Sequence, residues 1–186
     1  MTHLETDRLI IRPWTLSEGD RAAFHRLMSD AQIRKFYVTR KTREEADEIL
    51  ERHVANFPAD GLQWQVACVK ETGEPIGFTG LAPVHDELPF IPCVEIGWLY
   101  MPEQWGKGYA TEAGKALLQQ GFEHHSLKEI VAFAVHNNHP SIAVMERIGM
   151  KRVEGGDFDH PVIPKEMAHL NPHVLYKVKG DDQNVT

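Results

Sequence analysis

Cysteine is scarce in this chain of 186 residues, which contains only Cys68 and Cys93. Two cysteines cannot form the set of disulfides that holds many small secreted domains together. Neither residue lies in a C-x-x-C pair or in a cysteine–histidine spacing typical of a zinc site. The cysteine content therefore favours a reducing environment, and we expect a cytoplasmic location.

Long apolar runs and basic clusters are also missing. No segment approaches the roughly 20 apolar residues that a membrane-spanning helix needs, and the opening MTHLETDR lacks the features of a signal peptide. The net charge is −7 without any block of lysine or arginine, which argues against nucleic acid because phosphate neutralisation dominates such binding. We expect neither a membrane nor a nucleic-acid partner, whereas an acidic surface suits a cationic substrate.

The length and the periodicity of the chain predict one α/β domain. Strands are predicted at residues 8–12, 63–70, 75–81, 94–100, 129–134, near 153 and at 175–178, and helices at about 17–28, 42–57, 110–124 and 140–148. A chain of this length can bury roughly 70% of its unfolded surface in a single core. We expect one domain over residues 1–180, with a substrate-side loop at 82–92, and a polar tail over 181–186.

The most informative segment is VEIGWLY, followed by MPEQWGKGYA and an amphipathic helix. Gly106 and Gly108 lack a Cβ, so their backbone can turn tightly and approach a ligand. The helix that begins near Ala110 presents unpaired N–H groups and a positive dipole end, which favour a phosphate. A P-loop motif is missing, and Thr111 occupies the third glycine position of the dinucleotide-binding fingerprint. The segment therefore predicts a pyrophosphate site of another kind.

The sequence WGKGYATEA after EIGWLY resembles the GNAT family of acyl-CoA N-acyltransferases. It is most similar to the branch of the RimJ and RimL ribosomal-protein N-terminal acetyltransferases. The segment NHPS that begins at Asn138, with the later Gly149-Met150, resembles the family motif N-x-x-S…G-[FM]. Two positions depart from the common pattern: Glu103 replaces glutamine or arginine, and Met145 replaces a tyrosine.

The resemblance implies a single-domain GNAT-like fold, whose mixed, mostly antiparallel central sheet has splayed central strands and flanking helices. It also implies that acetyl-CoA is the co-substrate and inserts between the splayed strands. Backbone N–H groups of residues 99–101 are expected to polarise the thioester carbonyl. The residues expected to bind acetyl-CoA are Leu99, Tyr100, Met101, Gln104, Trp105, Gly106, Lys107, Gly108, Tyr109, Ala110 and Asn138.

Glu95 is the candidate general base. It interrupts an otherwise apolar strand, on the face shared with Gly97 and Leu99, and buried carboxylates are rare unless they are paired or functional. In the family that the chain resembles, a glutamate in this strand assists deprotonation in some members. Glu95 is alternatively an edge-exposed carboxylate or one paired with an arginine such as Arg12, and residues 85–87 supply other candidate bases.

Asn138 and Ser141 lie where the predicted helix at 140–148 begins. By the resemblance, the Asn138 amide binds the peptide-like arm of the cofactor, and the Ser141 hydroxyl assists the leaving thiolate as a catalytic acid. Ser141 is the leading acid because Met145 replaces the common tyrosine. Two alternatives stay open: Asn138 suits helix capping equally well, and a thiolate whose pKa is about 8.5 can leave with help from water alone.

The remaining polar residues predict structure rather than chemistry. His160, His169 and His173 lie in a proline-rich stretch without a zinc pattern, so we expect structural or surface roles and no metal. Glu112 is expected in the first turn of its helix, where the dipole favours a carboxylate. Trp105 is expected to pack or to cover the cofactor.

These features predict an acetyl-CoA-dependent N-acetyltransferase in which an amine attacks the thioester directly in a ternary complex. Neither cysteine adjoins an evident base and acid, so no covalent enzyme intermediate is expected. The acceptor is expected to be a primary amine, either a protein N-terminus or a small molecule, and the protein a monomer or homodimer. Two rivals remain: a non-catalytic acyl-CoA sensor or interaction module on the same fold, and a nucleotide-dependent enzyme, which the missing phosphate and metal motifs disfavour.

Overall fold

A computed structural model describes residues 3–183 of the chain. Its strands are β1 (Leu4–Glu5), β2 (Leu9–Arg12), β3 (Gln65–Val69), β4 (Pro75–Pro83), β5 (Val94–Tyr100), β6 (Glu129–Val135), β7 (Lys151–Arg152) and β8 (His173–Lys179). Its α-helices are α1 (Glu18–Ser29), α2 (Arg43–Ala55), α3 (Tyr109–Glu123) and α4 (His139–Arg147). Of the predicted polar tail, residues 181–183 lie in a short 3-10 turn, and residues 184–186 fall outside the described part. Within residues 3–183, no helix is both long and apolar enough to cross a membrane.

The strands form one sheet in the order β1-β2-β3-β4-β5-β6-β8-β7. Neighbouring strands run antiparallel except β5 and β6, which are parallel. The prediction of a mixed, mostly antiparallel sheet with flanking helices is confirmed.

Helices cover both faces of the sheet, and alternation along β3 shows why. Ala67 packs with α3 and α4 on one face, whereas Val66 and Cys68 pack with α1 and α2 on the other. Successive strand residues point to opposite faces, so an apolar run buries both. A third cluster, which includes Leu88 and Phe158, packs on β6 and β8. The core therefore consists of two layers of side chains, one on each side of the sheet.

The first two helices begin at the capping signals in the sequence. The Ser17 side chain accepts a hydrogen bond from the backbone N–H of Asp20 at the start of α1, and Thr42 with Glu45 forms a complete capping box at α2. The capping box predicted at α1 is only half present, because the Asp20 carboxylate binds the Arg12 guanidinium instead. This buried ion pair ties β2 to α1.

Several predicted boundaries are displaced by one or two residues, and two of these differences are informative. The loop predicted at 82–92 starts too early, because its first two residues continue β4 beside β5. Residues 84–92 do form a loop, and Leu88 anchors it by packing on β6 and β8. The strand predicted near Val153 ends one residue earlier, at Arg152.

β5 and β6 lie side by side only near their first residues. Glu95 pairs with Val131, and the two strands then diverge toward Tyr100 and Val135. β4 and β5, in contrast, pair along the whole of β5. The predicted splay of the central strands is therefore confirmed. It opens a gap at the carboxyl ends of two parallel strands, the edge at which α/β sheets commonly bind ligands.

Candidate functional site

Two cavities meet at the gap between β5 and β6. The larger, of about 860 Å³, lies beside α3, α4 and the loop that follows β5. The smaller, of about 430 Å³, lies between the α1–α2 connection and the loop that precedes β5. The residues that line both cavities are Phe36, Tyr37, Trp98, Asn138 and Ser141. Two ligands bound in these cavities would therefore meet at this junction.

The loop between β5 and α3 is shaped to hold an anion. Gly106 and Gly108 have φ angles of 73° and 85°, in the left-handed region that glycine tolerates without strain. Gly108 caps α3 without a side chain, so the first N–H groups of the helix keep no intrahelical partner. Tyr109, Ala110 and Thr111 line the larger cavity at this end. The loop and the helix start therefore fit a pyrophosphate group.

Two ion pairs hold this loop in place. Arg8 binds Glu112 in the first turn of α3 and donates through Nη1 to the Lys107 carbonyl at 3.0 Å. On the other side, Glu103 accepts a hydrogen bond of 2.8 Å from Arg26 of α1. The Glu112 carboxylate lies in the first helical turn as predicted, and its contact with Arg8 keeps its charge from opposing an anion. The loop is therefore fixed both from the turn between β1 and β2 and from the first helix.

The N–H groups of β5 alternate between its two neighbours. The Met101 N–H donates to the Ile76 carbonyl on the β4 side at 3.0 Å, so alternation directs the Leu99 N–H the same way and those of Trp98 and Tyr100 toward β6. β6 has diverged from β5 at this level, so the N–H groups of Trp98 and Tyr100 face the gap. The predicted polarisation of a thioester by the N–H groups of residues 99–101 is therefore corrected at Leu99 and Met101, whose N–H groups point to β4 within the sheet, and only that of Tyr100 faces the gap.

Most of the residues predicted to bind acetyl-CoA line the larger cavity. Met101 and Lys107 do not: Met101 is buried toward α1, and the exposed Lys107 donates to the Gln104 side chain at 3.0 Å. Trp105 is 48% exposed, and its indole N–H donates to the Tyr100 carbonyl at 2.7 Å. The predicted residues that the structure brings to the cavity are Leu99, Tyr100, Gln104, Trp105, Gly106, Gly108, Tyr109, Ala110 and Asn138.

Glu95 lies on the wall of the smaller cavity, where β5 and β6 begin to separate. Among the described residues no donor is hydrogen-bonded to its carboxylate, and Arg12, the alternative partner, binds Asp20 instead. Burial of the carboxyl, together with the nearby charge of Asp86, raises the pKa of Glu95 to about 8. A carboxylate with such a pKa is matched to proton transfer near neutral pH, which suits a general base.

Asn138 and Ser141 lie at the junction of the two cavities, at the start of α4. The Asn138 side chain accepts a hydrogen bond of 3.4 Å from the Ser141 backbone N–H, so Asn138 does cap the helix. The cap engages the backbone of Ser141 and not its hydroxyl, which leaves the hydroxyl for a ligand. Met145, one turn further on, is buried beside the smaller cavity and has no acidic proton to donate.

The α1–α2 connection contributes residues that the sequence patterns did not single out. Residues 31–38 form successive turns and bends, in which Phe36 and Tyr37 line both cavities and Arg34 lines the smaller one. Tyr37 is 40% exposed as a residue, and desolvation of its phenol raises the pKa above the ordinary value of about 10, so the phenol remains a proton donor at neutral pH. The available signal was the cluster RKFY at 34–37, which unites cationic and aromatic residues but matches no motif.

Two of the three histidines considered above are buried in the smaller cavity. The rings of His160 and His173 lie 5.2 Å apart and pack on Phe133. Burial and the neighbouring imidazoles lower the pKa of His173 to about 4. His160 lies 3.8 Å from Asp86, whereas His169 is exposed. Within residues 3–183, no group of three or more histidine, cysteine or acidic residues is arranged to hold a metal ion.

Comparison with known proteins identifies relatives along most of the chain. Residues 8–151 match the family described as the acetyltransferase (GNAT) domain. The uncharacterized N-acetyltransferase YnaD of Bacillus subtilis is 31% identical over 164 residues, which cover 88% of this chain and 89% of YnaD.

Solved structures of similar fold also cover nearly the whole chain. A GNAT-family acetyltransferase from Bacillus anthracis superposes with a TM-score of 0.77 at 26% identity, over 96% of this chain and 99% of that protein. The acetyltransferase AAC(6')-Ib, solved in complex with paromomycin and acetyl-CoA, superposes with a TM-score of 0.72 over 97% of this chain and 98% of its own. Its identity to this chain is 20%, so this likeness concerns the fold alone.

Proposed function

The chain belongs to the GNAT acetyltransferase family, and from that membership we propose that it transfers an acetyl group from acetyl-CoA to a primary amine by direct attack in a ternary complex. The observation that carries this proposal is the junction of two cavities at the splayed strands. One cavity ends at an anion-binding helix start, and the other contains a carboxylate with a raised pKa. Such a pair of sites brings the acetyl donor and the amine acceptor together.

The larger cavity fits acetyl-CoA, which supplies the acetyl group as an activated thioester. Gly106, Gly108 and the first N–H groups of α3 bind the pyrophosphate. The N–H groups of Trp98 and Tyr100, directed toward the gap, bind the amides of the cofactor arm and polarise the thioester carbonyl. Asn138 lies beside the same path and offers its amide N–H₂ group, because only its oxygen is used in the helix cap.

The smaller cavity holds the amine. Glu95 accepts the proton that the amine must lose while its nitrogen bonds to the carbonyl carbon, and the carbon–sulfur bond then breaks. Ser141 donates a hydrogen bond or proton to the departing sulfur, with water as the alternative donor. Deprotonation at pH 7 costs about 1 kcal/mol for an α-amine and about 4–5 kcal/mol for a lysine-like amine. A base of matched pKa is therefore most valuable with the more basic amines.

Two classes of amine acceptor are part of this proposal. The resemblance of WGKGYATEA to the RimJ and RimL branch supports a protein N-terminal α-amine, and a cavity of about 430 Å³ supports a small-molecule amine. We also propose that residues 1–180 act as one catalytic domain, as a monomer or homodimer. The free Cys68 and Cys93 support a cytoplasmic location.

A panel of amines tests this function. Release of CoA from acetyl-CoA is followed with amino acids, polyamines, aminoglycosides and N-terminal peptides, and the N-acetyl product is identified by mass spectrometry. CoA release that depends on one class of amine supports the proposal. Tight binding of acetyl-CoA without CoA release from any amine would favour the sensor on the same fold instead. Absence of acetyl-CoA binding would overturn both.

A further inference from the structure

Arg34 lines the smaller cavity without a carboxylate partner. It is half-buried in the α1–α2 connection. Its Nε donates to the Thr39 carbonyl at 3.3 Å, and its Nη1 lies 3.8 Å from the Met28 sulfur. Its guanidinium carbon lies 3.7 Å from the centroid of the Tyr37 ring. Within the described part of the chain, no aspartate or glutamate forms an ion pair with Arg34.

The guanidinium of Arg34 keeps its positive charge in this position. Burial lowers its pKa, but an arginine side chain stays protonated at neutral pH because its ordinary pKa is above about 12. A charge withdrawn from water is costly unless an anion compensates for it. The Thr39 carbonyl occupies one N–H group, and most of the five donors remain for a planar acceptor such as a carboxylate.

The acidic side chains that line the cavity are Asp86 and Glu95, and Arg34 is paired with neither of them. Arg34 instead stacks on the ring of Tyr37, and the nearby charge of Asp86 contributes to the raised pKa of Glu95. Burial lowers the pKa of both buried histidines of the cavity, so the imidazoles are neutral at pH 7. The cavity therefore has a cation in one part and a proton acceptor in another.

The walls around these groups are apolar and aromatic, with Trp64, Phe78 and Phe133 among them. Building on the acetyl transfer proposed above, we infer that the acceptor is a small primary amine that also carries a carboxylate, with the carboxylate bound by Arg34 and the amine directed toward Glu95. A polyamine or aminoglycoside would place a second cation near Arg34, and like charges repel. Free amino acids with apolar side chains and very short peptides both offer the chemistry that the cavity fits.

The first test needs no variant. CoA release is measured with phenylalanine, phenylalanine amide and phenethylamine, which share the ring and differ in the carboxylate, and the rates are referred to the deprotonated amine. The dipeptide phenylalanyl-alanine distinguishes a peptide from a free amino acid as the source of the carboxylate. We expect kcat/KM for the best carboxylate-bearing amine to exceed that for phenethylamine by about 10-fold to 100-fold, the range for one hydrogen-bonded charge. Equal values would overturn the inference.

The second test removes the cation. Arg34→Gln should raise KM for the carboxylate-bearing amine by about 10-fold to 100-fold and leave the kinetics of phenethylamine unchanged. Arg34→Lys keeps the charge without the planar guanidinium, so it should raise KM for the carboxylate-bearing amine by a smaller factor. Arg52→Gln removes an equal charge from the exposed face of α2 and serves as the control. Thermal melts of all variants check that they are folded. Equal losses with both amines in Arg34→Gln would overturn the inference.

The outcomes separate this inference from the proposed function. CoA release from amines without any preference for a carboxylate would overturn the inference and leave the acetyl transfer intact. No CoA release from any amine, despite bound acetyl-CoA, would overturn both. A preference for a carboxylate that Arg34→Gln abolishes supports both.

Discussion

Glu95 lies opposite Val131 where β5 and β6 are joined, and the two strands separate immediately beyond this pair. The candidate base is therefore held by a strand that pairs along its whole length with β4 on its other side. A site built on such a strand is positioned more precisely than one on a loop. The divergence that makes room for acetyl-CoA thus begins beside the carboxylate that is proposed to accept the proton of the amine.

Acetyl-CoA binding should depend on the glycine loop, and two matched glycines test this. Gly106 and Gly73 have φ angles of 73° and 71°, and neither has an atom near its missing Cβ. Valine at either position should cost about the same stability, on the order of 1–2 kcal/mol. Near 100 Kd of acetyl-CoA the parent should gain about 2.7 kcal/mol. In thermal melts, acetyl-CoA should still stabilise Gly73→Val but no longer stabilise Gly106→Val. Equal stabilisation of both variants would show that the loop does not bind acetyl-CoA.

Ser141→Ala should lower kcat by about 10-fold to 100-fold and barely change KM for acetyl-CoA, because the hydroxyl acts on the departing sulfur. Stability should change little, since the helix cap uses the Ser141 backbone N–H. Asn138→Ala is the structural control and should cost about 1 kcal/mol of stability through loss of the cap. A parental kcat in Ser141→Ala would exclude the hydroxyl, and Tyr37→Phe would then test the phenol at the same junction.

The pH dependence of activity should report Glu95. With an amine whose pKa lies well below 7, kcat/KM of the parent should rise with pH through about 8, the pKa of Glu95. Glu95→Gln should lose activity and this rise, whereas Glu154→Gln, at an exposed position after β7, should retain both. The loss should be larger with lysine-like amines than with α-amines, because their costs of deprotonation differ by about 3 kcal/mol. Superimposable profiles of parent and Glu95→Gln would exclude Glu95 as the base.

The stability of Glu95→Gln should also depend on pH. The ordinary pKa of this carboxyl is 4.5 and its pKa in the folded protein is about 8, so between these values the unfolded chain ionises before the folded one. The parent should therefore lose stability as pH rises from about 5 to 8, and the variant should lack this loss. We expect the free energy of unfolding of Glu95→Gln relative to the parent to rise by roughly 3–4 kcal/mol from pH 5 to pH 8. A constant difference in denaturant titrations would show that the carboxyl titrates normally.

The sequence predicted most of the elements that depend on neighbouring residues. The capping box at Thr42, the turn between β3 and β4, and the glycines before α3 are local signals, and each has its expected structure. The predictions that failed lie where tertiary contacts decide the result. The Asp20 carboxylate binds Arg12 instead of the Ser17 backbone N–H, although the Asp20 N–H still donates to the Ser17 side chain. Residues 82–83 of the predicted loop belong to β4 because they pair with β5.

The features of the candidate site likewise fall into those that the sequence determined and those that only the tertiary structure decided. Periodicity and local motifs determined that a lone carboxylate lies in an apolar strand at Glu95 and that a glycine-containing loop precedes a helix at Gly108, because such patterns depend on neighbours in the chain. Only the tertiary structure decided that Arg34 and Tyr37 reach the same cavity and that Arg8 holds α3 through Glu112, a residue 104 positions away. It also decided the raised pKa of Glu95, since burial and the charge of Asp86 arise from elements that pack together only in the folded chain.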